Sequence, residues 1–222
     1  ITGPAVVETI EEGNSSFPWG DGETTNGTAE AIVYELAPKG ENVFADTELT
    51  INFNGPVPAL GKKGYIRIYN AADNTMVDEI NMSERQVGIE DGKTLLNSWM
   101  DIVGVTPKAA TVNRKRVVNY HPVRIEGNTV IIKPHSQRLK YNTRYYVTID
   151  KTAIDQADFT GIYANKWMFT TKPELELSAQ DTYTVKVSHT DVNADFYSLQ
   201  GAIDYLATHV DRSAPKVINM DN

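Results

Sequence analysis

The sequence predicts a mainly β fold: a β-sandwich over most of the chain, then a strand–helix–strand segment at its end. Three observations predict it. Short stretches alternate apolar and polar residues, the period-two pattern of strands that bury one face. Gly, Pro, Asn and Asp clusters separate these stretches at short intervals, as turns do. From Thr184 onward the pattern changes, and apolar residues recur at helical spacing between two short strands.

Taken in order, residues 13–29 are rich in Gly, Asn, Ser and Thr, with Pro18 and Gly20 flanking Trp19, and read as loop. Asn14 and Asn26 stand in glycosylation sequons. Residues 30–38 read as a short strand ended at Pro38. In residues 48–53, Leu49, Ile51 and Phe53 fall on one face, and Asn54-Gly55-Pro56 breaks the strand. Residues 64–69 alternate again, followed by an Ala-Ala-Asp-Asn turn and a further strand over 76–82. Strands are also expected at 129–132, which Pro134 stops, at 145–149 and at 167–171. Between 84 and 120, Leu95, Leu96, Trp99, Met100 and Val103 fit a helical turn, which predicts a short helix or an ordered loop.

The order of these pieces resembles a bacterial Ig-like domain. That family shows a Leu-x-Ile-x-Phe strand followed by Pro-Val, an Asn-x-Val-x-Ile-x-Pro strand, a Tyr-x-Thr-x-Tyr-x-Val-x-Ile stretch and a final Phe-Thr-Thr. Here the matching residues are 49–57, 128–134, 139–149 and 169–171, and the resemblance spans roughly residues 36–172. It implies an Ig-like β-sandwich and says little about ligand. Where the family carries Asp-x-x-Gly-Asn before the last strand, this chain has Ile154-Asp155-Gln156-Ala157-Asp158-Phe159-Thr160-Gly161.

In the closing segment Leu199, Ala202, Ile203, Leu206, Ala207 and Val210 form an expected apolar helical stripe, with Val185 and Val187 before it and Val217 after it. The run from Asp195 through Phe196, Ser198, Leu199, Gln200, Ala202 and Ile203 to Asp204 resembles the opening of pectin methylesterases and related pectate-lyase-like proteins. There an Asp-Phe-x-(Ser/Thr)-(Ile/Leu/Val)-Gln-x-Ala-Ile-Asp run forms the helix that caps a right-handed parallel β-helix. Such a cap covers an apolar end and unpaired strand edges. The resemblance implies the division 1–35 loop-rich leader, 36–172 sandwich, 173–183 linker, and 184–222 first coil and helical cap of a truncated β-helix catalytic domain. The family's catalytic motifs follow this point: Gly-x-Tyr-x-Glu, a Gln, two Asp and an Arg. No catalytic, cofactor-binding or metal residue is therefore expected in these 222 residues, and substrate-binding residues stay unassigned.

The function so implied is the non-catalytic N-terminal portion of a secreted pectinesterase acting on the methyl esters of homogalacturonan, with no cofactor. Pectin would be met through the catalytic domain, and the location would be secreted, periplasmic or cell-surface. Two alternatives stay open: a carbohydrate-binding or adhesin-type Ig-like surface module, and the leader of a pectate lyase. Composition narrows the partners. The net charge is −8 with hydrophobic residues at 41%; nucleic acid, which calls for a basic face, is not expected as a partner. There is no Cys, hence no disulfide or thiol chemistry. No apolar run reaches the roughly 18 residues needed to span a bilayer, and a monomer is expected.

Several residues suit either chemistry or an ordinary structural role. His121, His135, His189 and His209 lack metal-ligand spacing, although His121 and His135 flank an expected strand pair. Asp155 and Asp158 near Gly161 suit either calcium or a solvated turn. Arg114-Lys115-Arg116, with Lys108 and Arg124, is the one basic concentration and suits either carboxylate steering or a solvated face. Tyr65, Tyr69, Tyr120, Tyr145, Tyr146, Trp19 and Trp99 are candidates for stacking on sugar rings, and alternation should bury about half of the strand tyrosines. Tyr141 and Tyr145, in the Tyr-x-Thr-x-Tyr element, read as structural.

Overall fold

The computed structural model describes residues 33–84, 89–90, 93–94, 100–104, 115–119, 121–177, 182–211 and 213–221. Its strands are β1 (Val33–Ala37), β2 (Gly40–Val43), β3 (Leu49–Asn54), β4 (Ala59–Leu60), β5 (Tyr65–Asn70), β6 (Met76–Asn81), β7 (Ile89–Glu90) and β8 (Lys93–Thr94). There follow β9 (Met100–Gly104), β10 (Lys115–Asn119), β11 (Val123–Glu126), β12 (Thr129–Ile132), β13 (Arg144–Ile149), β14 (Ile154–Asp155), β15 (Met168–Thr171) and β16 (Tyr183–Val187). Helix α1 (Leu199–His209) and β17 (Lys216–Met220) complete the order.

One sheet runs β1-β3-β12-β11 and a second runs β2-β15-β13-β5-β6. Their facing residues form one apolar core, which is what makes the pair a sandwich. Period-two alternation explains which side chains enter it. Leu49, Ile51 and Phe53 of β3, Val130 and Ile132 of β12, Ile66 and Ile68 of β5, and Tyr145, Val147 and Ile149 of β13 are all buried. Trp167 lies wholly inside, where its indole N–H needs a partner, and it donates to the Pro38 carbonyl at 2.9 Å. Tyr145 solves the same problem at its hydroxyl, which accepts from the Lys140 amide at 2.7 Å. This is the tyrosine-corner arrangement of Ig-like sandwiches, a ring in the core and a hydroxyl tied to backbone just upstream.

Two features lay outside the sequence reading. The edge strand β2 pairs parallel to β15 in an otherwise antiparallel sheet; Gly-Glu-Asn-Val has no alternation to reveal it. The helical turn expected around residues 95–103 is corrected in part: Met100 and Val103 lie in β9, paired antiparallel with β10. A residue such as Val103, branched at Cβ, suits the pleated strand better than a helix. Leu95, Leu96 and Trp99 lie outside the described residues.

After the sandwich, β16 and β17 pair in parallel, with Val185 opposite Ile218 and Val187 opposite Met220. Parallel neighbours need a crossover, and α1 supplies it. This unit has its own apolar cluster of Val185, Val187, Phe196, Ala202, Tyr205, Leu206 and Val210. The stripe is rotated from the expected one: Tyr205 is buried, while Leu199 at 40% and Ile203 at 44% remain exposed, as does Ala207. Tyr205 wins the inner position because its large ring packs on Phe196 and its hydroxyl still reaches the Leu175 carbonyl at 2.8 Å.

Replacing Tyr145 by Phe keeps the ring and strands the Lys140 amide. Stability should fall by about 1–2 kcal/mol, read as a lower urea midpoint at unchanged slope. A loss below about 0.5 kcal/mol would remove the corner from the account.

Candidate functional site

The polar residues most densely gathered lie where the sandwich meets α1. The loop after β2 brings Phe44 and Asp46, and the end of β15 leads into Lys172. Asp46 reaches across 152 positions in sequence: one carboxylate oxygen accepts from the Tyr197 amide at 3.0 Å, and the other from the Ser198 amide at 2.6 Å and the Ser198 hydroxyl at 2.8 Å. Ser198 is the N-cap of α1, and its oxygen accepts from the Gly201 amide at 3.0 Å. A carboxylate here answers the orphan donors and positive end of the helix together. Gly201 makes room for it: a Cβ on Gly201 would sit 2.2 Å from the Asp46 Oδ2.

Lys172 forms the second tie. Its ammonium donates to the carbonyls of Val192 at 2.5 Å and Ala194 at 2.7 Å and lies 3.9 Å over the Phe44 ring. Burial pushes the Lys172 ammonium down from the usual lysine range, while Asp195, Asp191 and Asp46 oppose that shift. A third contact is aromatic. Tyr141, before β13, meets Tyr205 edge-on with centroids 5.6 Å apart. Burial, with the Asp46 charge second, pushes the Tyr141 phenol well up. Tyr205 in turn stacks on His209 at 3.9 Å, and the His209 ring lies 3.3 Å from Glu174.

Between these ties is a cleft of about 220 Å³, lined by His135, Lys140, Tyr141, Gln200, Asp204 and Tyr205 among others. Its histidines are already committed. His135 gives its amide to one Asp78 oxygen at 2.8 Å and its ring Nδ1 lies 2.8 Å from the other, both side chains largely buried. That pair pins the exit of β12 to β6 across the sandwich. The His209 Nδ1 lies 2.9 Å from the Tyr205 carbonyl. Among the described residues, no three His, Cys, Asp or Glu gather as metal ligands. The arrangement can orient two bodies.

The other sequence candidates fall in several places. His121 and His189 are exposed, and His189 stacks on Tyr197 at 4.5 Å. Asp155 and Asp158 are exposed, with Asp158 at φ 63 in the turn. Arg124 is not a free cation: Glu48 holds it through two 2.9 Å bonds and Glu126 through one at 2.8 Å, so its pKa is raised, chiefly by Glu48. Lys115 and Arg116 belong to β10. Arg114, Lys108, Tyr120, Trp19 and Trp99 lie outside the described residues. Tyr145 is core, whereas Tyr65, Tyr69 and Tyr146 share the outer face of the five-stranded sheet. Sequence reasoning missed Asp46, Lys172 and the His135–Asp78 pair. Only Ser198, three residues before Gly201 at the head of an apolar run, carried a readable capping signal.

The Asp46 joint yields a double-mutant cycle. Asp46→Ala should speed exchange of the Tyr197 and Ser198 amides by roughly tenfold to a hundredfold, because hydrogen bonds to a charged acceptor are lost. Gly201→Ala should do likewise in the native background and add less in Asp46→Ala, where the Oδ2 and Cγ that its Cβ would meet are gone and only the approach to the residue-46 Cβ, 2.7 Å, remains. Strict additivity of the two would contradict the geometry.

Comparison with known families agrees with the fold. The model for the bacterial Ig-like domain matches residues 30–171. No curated protein and no solved structure matches the chain. The match covers well over half of the sequence and coincides with the described sandwich, so the chain belongs to the bacterial Ig-like domain family.

Proposed function

We propose that this chain is the non-catalytic leading part of a secreted pectinesterase: an Ig-like module (36–172), a linker (173–183) and the first coil and cap of a parallel β-helix (184–222). The reaction it serves is hydrolysis of galacturonate methyl esters in homogalacturonan, releasing methanol. The single observation that carries the reading is β16-α1-β17. Two strands paired in parallel with a helix between them are the geometry of a β-helix opening, and the unit leaves Leu199, Ile203, Val217 and Met220 exposed at 40–55%. Outward apolar side chains this dense call for a covering body. The run from Asp195 to Asp204, which resembles the pectin methylesterase opening, supplies the chemical class. The module's role is to hold and space that body, through the Asp46 and Lys172 ties. Among the described residues, no helix is long and apolar enough to cross a membrane.

A second reading, a carbohydrate-binding surface module, is favoured by a separate observation, the tyrosines on the outer sheet face.

The decisive measurement is methanol release from esterified pectin by the protein carrying this module together with the sequence that follows it in the gene. Release is the expected outcome; cleavage confined to de-esterified polygalacturonate would replace the esterase with a lyase or hydrolase. A second measurement tests the covering body. Ile203→Asp should change the stability of the 222-residue chain by less than about 0.5 kcal/mol, as exposed sites do, and that of the longer protein by roughly 2–4 kcal/mol, as a buried charge does. Equal effects in both would remove the body.

A further inference from the structure

Asn54 is the last residue of β3, and Gly55 follows it. Of the asparagines in the described residues, it is the one with glycine next in the chain. The pleat sets its direction: Leu49, Ile51 and Phe53 enter the core, so Asn54 falls on the outward face, where it is exposed. Other asparagines are held through their side chains. Asn52 Oδ1 accepts from the Thr129 hydroxyl at 3.4 Å, Asn70 Oδ1 from the Ala72 amide at 2.9 Å and Asn81 Oδ1 from the Ser83 amide at 3.1 Å. Among the described residues, no such bond holds the Asn54 carboxamide. The adjoining Gly55 nitrogen is equally uncommitted: no described acceptor takes its N–H, and a Cβ placed on Gly55 would meet nothing within 4 Å. Only its carbonyl is tied, by Asn128 Nδ2 at 3.2 Å.

We propose that Asn54–Gly55 is a site of covalent self-modification, where the asparagine converts through a cyclic imide to aspartate and isoaspartate. The Gly55 nitrogen gives its proton to solvent base and bonds to Asn54 Cγ. The Cγ–Nδ2 bond then breaks, and the nitrogen leaves as ammonia after taking a proton from water. Water next adds to one of the two ring carbonyls. Addition at Cγ breaks the new N–Cγ bond and leaves aspartate. Addition at the main-chain carbonyl carbon breaks the original peptide bond and leaves isoaspartate, whose backbone runs through Cβ and Cγ. Either way one amide nitrogen is exchanged for oxygen, and a neutral side chain gives way to a carboxylate. Solvent water is the sole co-reactant.

Two features of the fold select this asparagine. Glycine carries no Cβ to crowd the approach of its nitrogen to Cγ, whereas every other described asparagine is followed by a residue that does. Ring closure also requires the Asn54 backbone to leave the extended strand. In the middle of β3 that would break ladder bonds to β1 and β12 together. At Asn54 the β1 register still holds, with Val33 opposite, but the β12 register has ended at Asn52. A strand end held from one side opens at low free energy. The isoaspartyl form lengthens the main chain where β3 leaves the sheet, beside the Gly55 carbonyl that Asn128 holds, so the modification loosens the tie between this turn and the β11–β12 turn. The proposal rests on the end of β3 alone and stands apart from the esterase reading.

The test incubates the 222-residue protein in mildly alkaline buffer, once folded and once in concentrated urea. Peptide mapping by mass spectrometry, with fragmentation that separates aspartate from isoaspartate, follows each asparagine over days. The Asn54 peptide should convert ahead of every other asparagine of the described residues, to a mixture of both acids that takes up heavy oxygen from labelled water. Conversion in the folded chain should stay within roughly tenfold of that in urea, as a strand end that opens readily allows. Asn54→Gln, at an exposed position where closure would need a larger ring, should stay unmodified and keep the native urea midpoint. Conversion in urea without conversion in the folded chain would show that the fold protects the site. That result, aspartate formed without isoaspartate, or another described asparagine converting first would each overturn the proposal.

Discussion

One carboxylate fixes how the two halves of this molecule sit together. Asp46 accepts from Tyr197 and Ser198 at the head of α1, and Gly201 lacks a side chain where that carboxylate lies. Apolar contact alone would not do this work, because hydrophobic attraction has no direction. Hydrogen bonds have a preferred distance and angle. The sandwich and the strand–helix–strand unit keep separate cores, and the joint between them is largely polar. Lys172 adds a second fixed direction through the Val192 and Ala194 carbonyls, and Tyr141 against Tyr205 adds a third. Such contacts set the direction in which α1 leaves the sandwich.

Strands whose alternation is strict were legible in the sequence. Residues 129–132 coincide with β12, and 145–149 fall one residue inside β13. In both, side-chain parity on a half-buried sheet writes the answer into the order of residues. Legibility stopped where that parity is absent or where two segments must be known together. The edge strand β2 has a buried residue only at Val43 and is held by pairing with β15. The phase of α1 was misread because Ile203 and Tyr205 are both apolar enough for the inner face, and only the Phe196 and Tyr141 rings decide between them. Asp46 and Asp78 look like ordinary surface acids in sequence. Their partners are 152 and 57 positions away, beyond the reach of any local pattern.

The tyrosines illustrate how one strand serves two ends. Tyr145 and Tyr146 are neighbours in β13, so the pleat sends them to opposite faces. Tyr145 enters the core beside Phe169 and closes the corner with Lys140. Tyr146 stands outside and stacks on Tyr69. The inner ring holds up the backbone that positions the outer one.

Helix α1 carries more apolar surface than its own unit uses. Ala202 and Leu206 are one turn apart and face Val185, Val187 and Phe196. Leu199 and Ile203 are also one turn apart and form a parallel ridge immediately beside them, left exposed. A helix covering a single surface needs one such stripe, with polar residues opposite. Two adjacent stripes suit a helix packed between two bodies, as the proposed function has it. The strand pair β16–β17 and Tyr141 supply the first. A further parallel coil, packed against Leu199 and Ile203, is the second body that the pectinesterase reading provides, and it gives those two side chains a role that the Ig-like module does not.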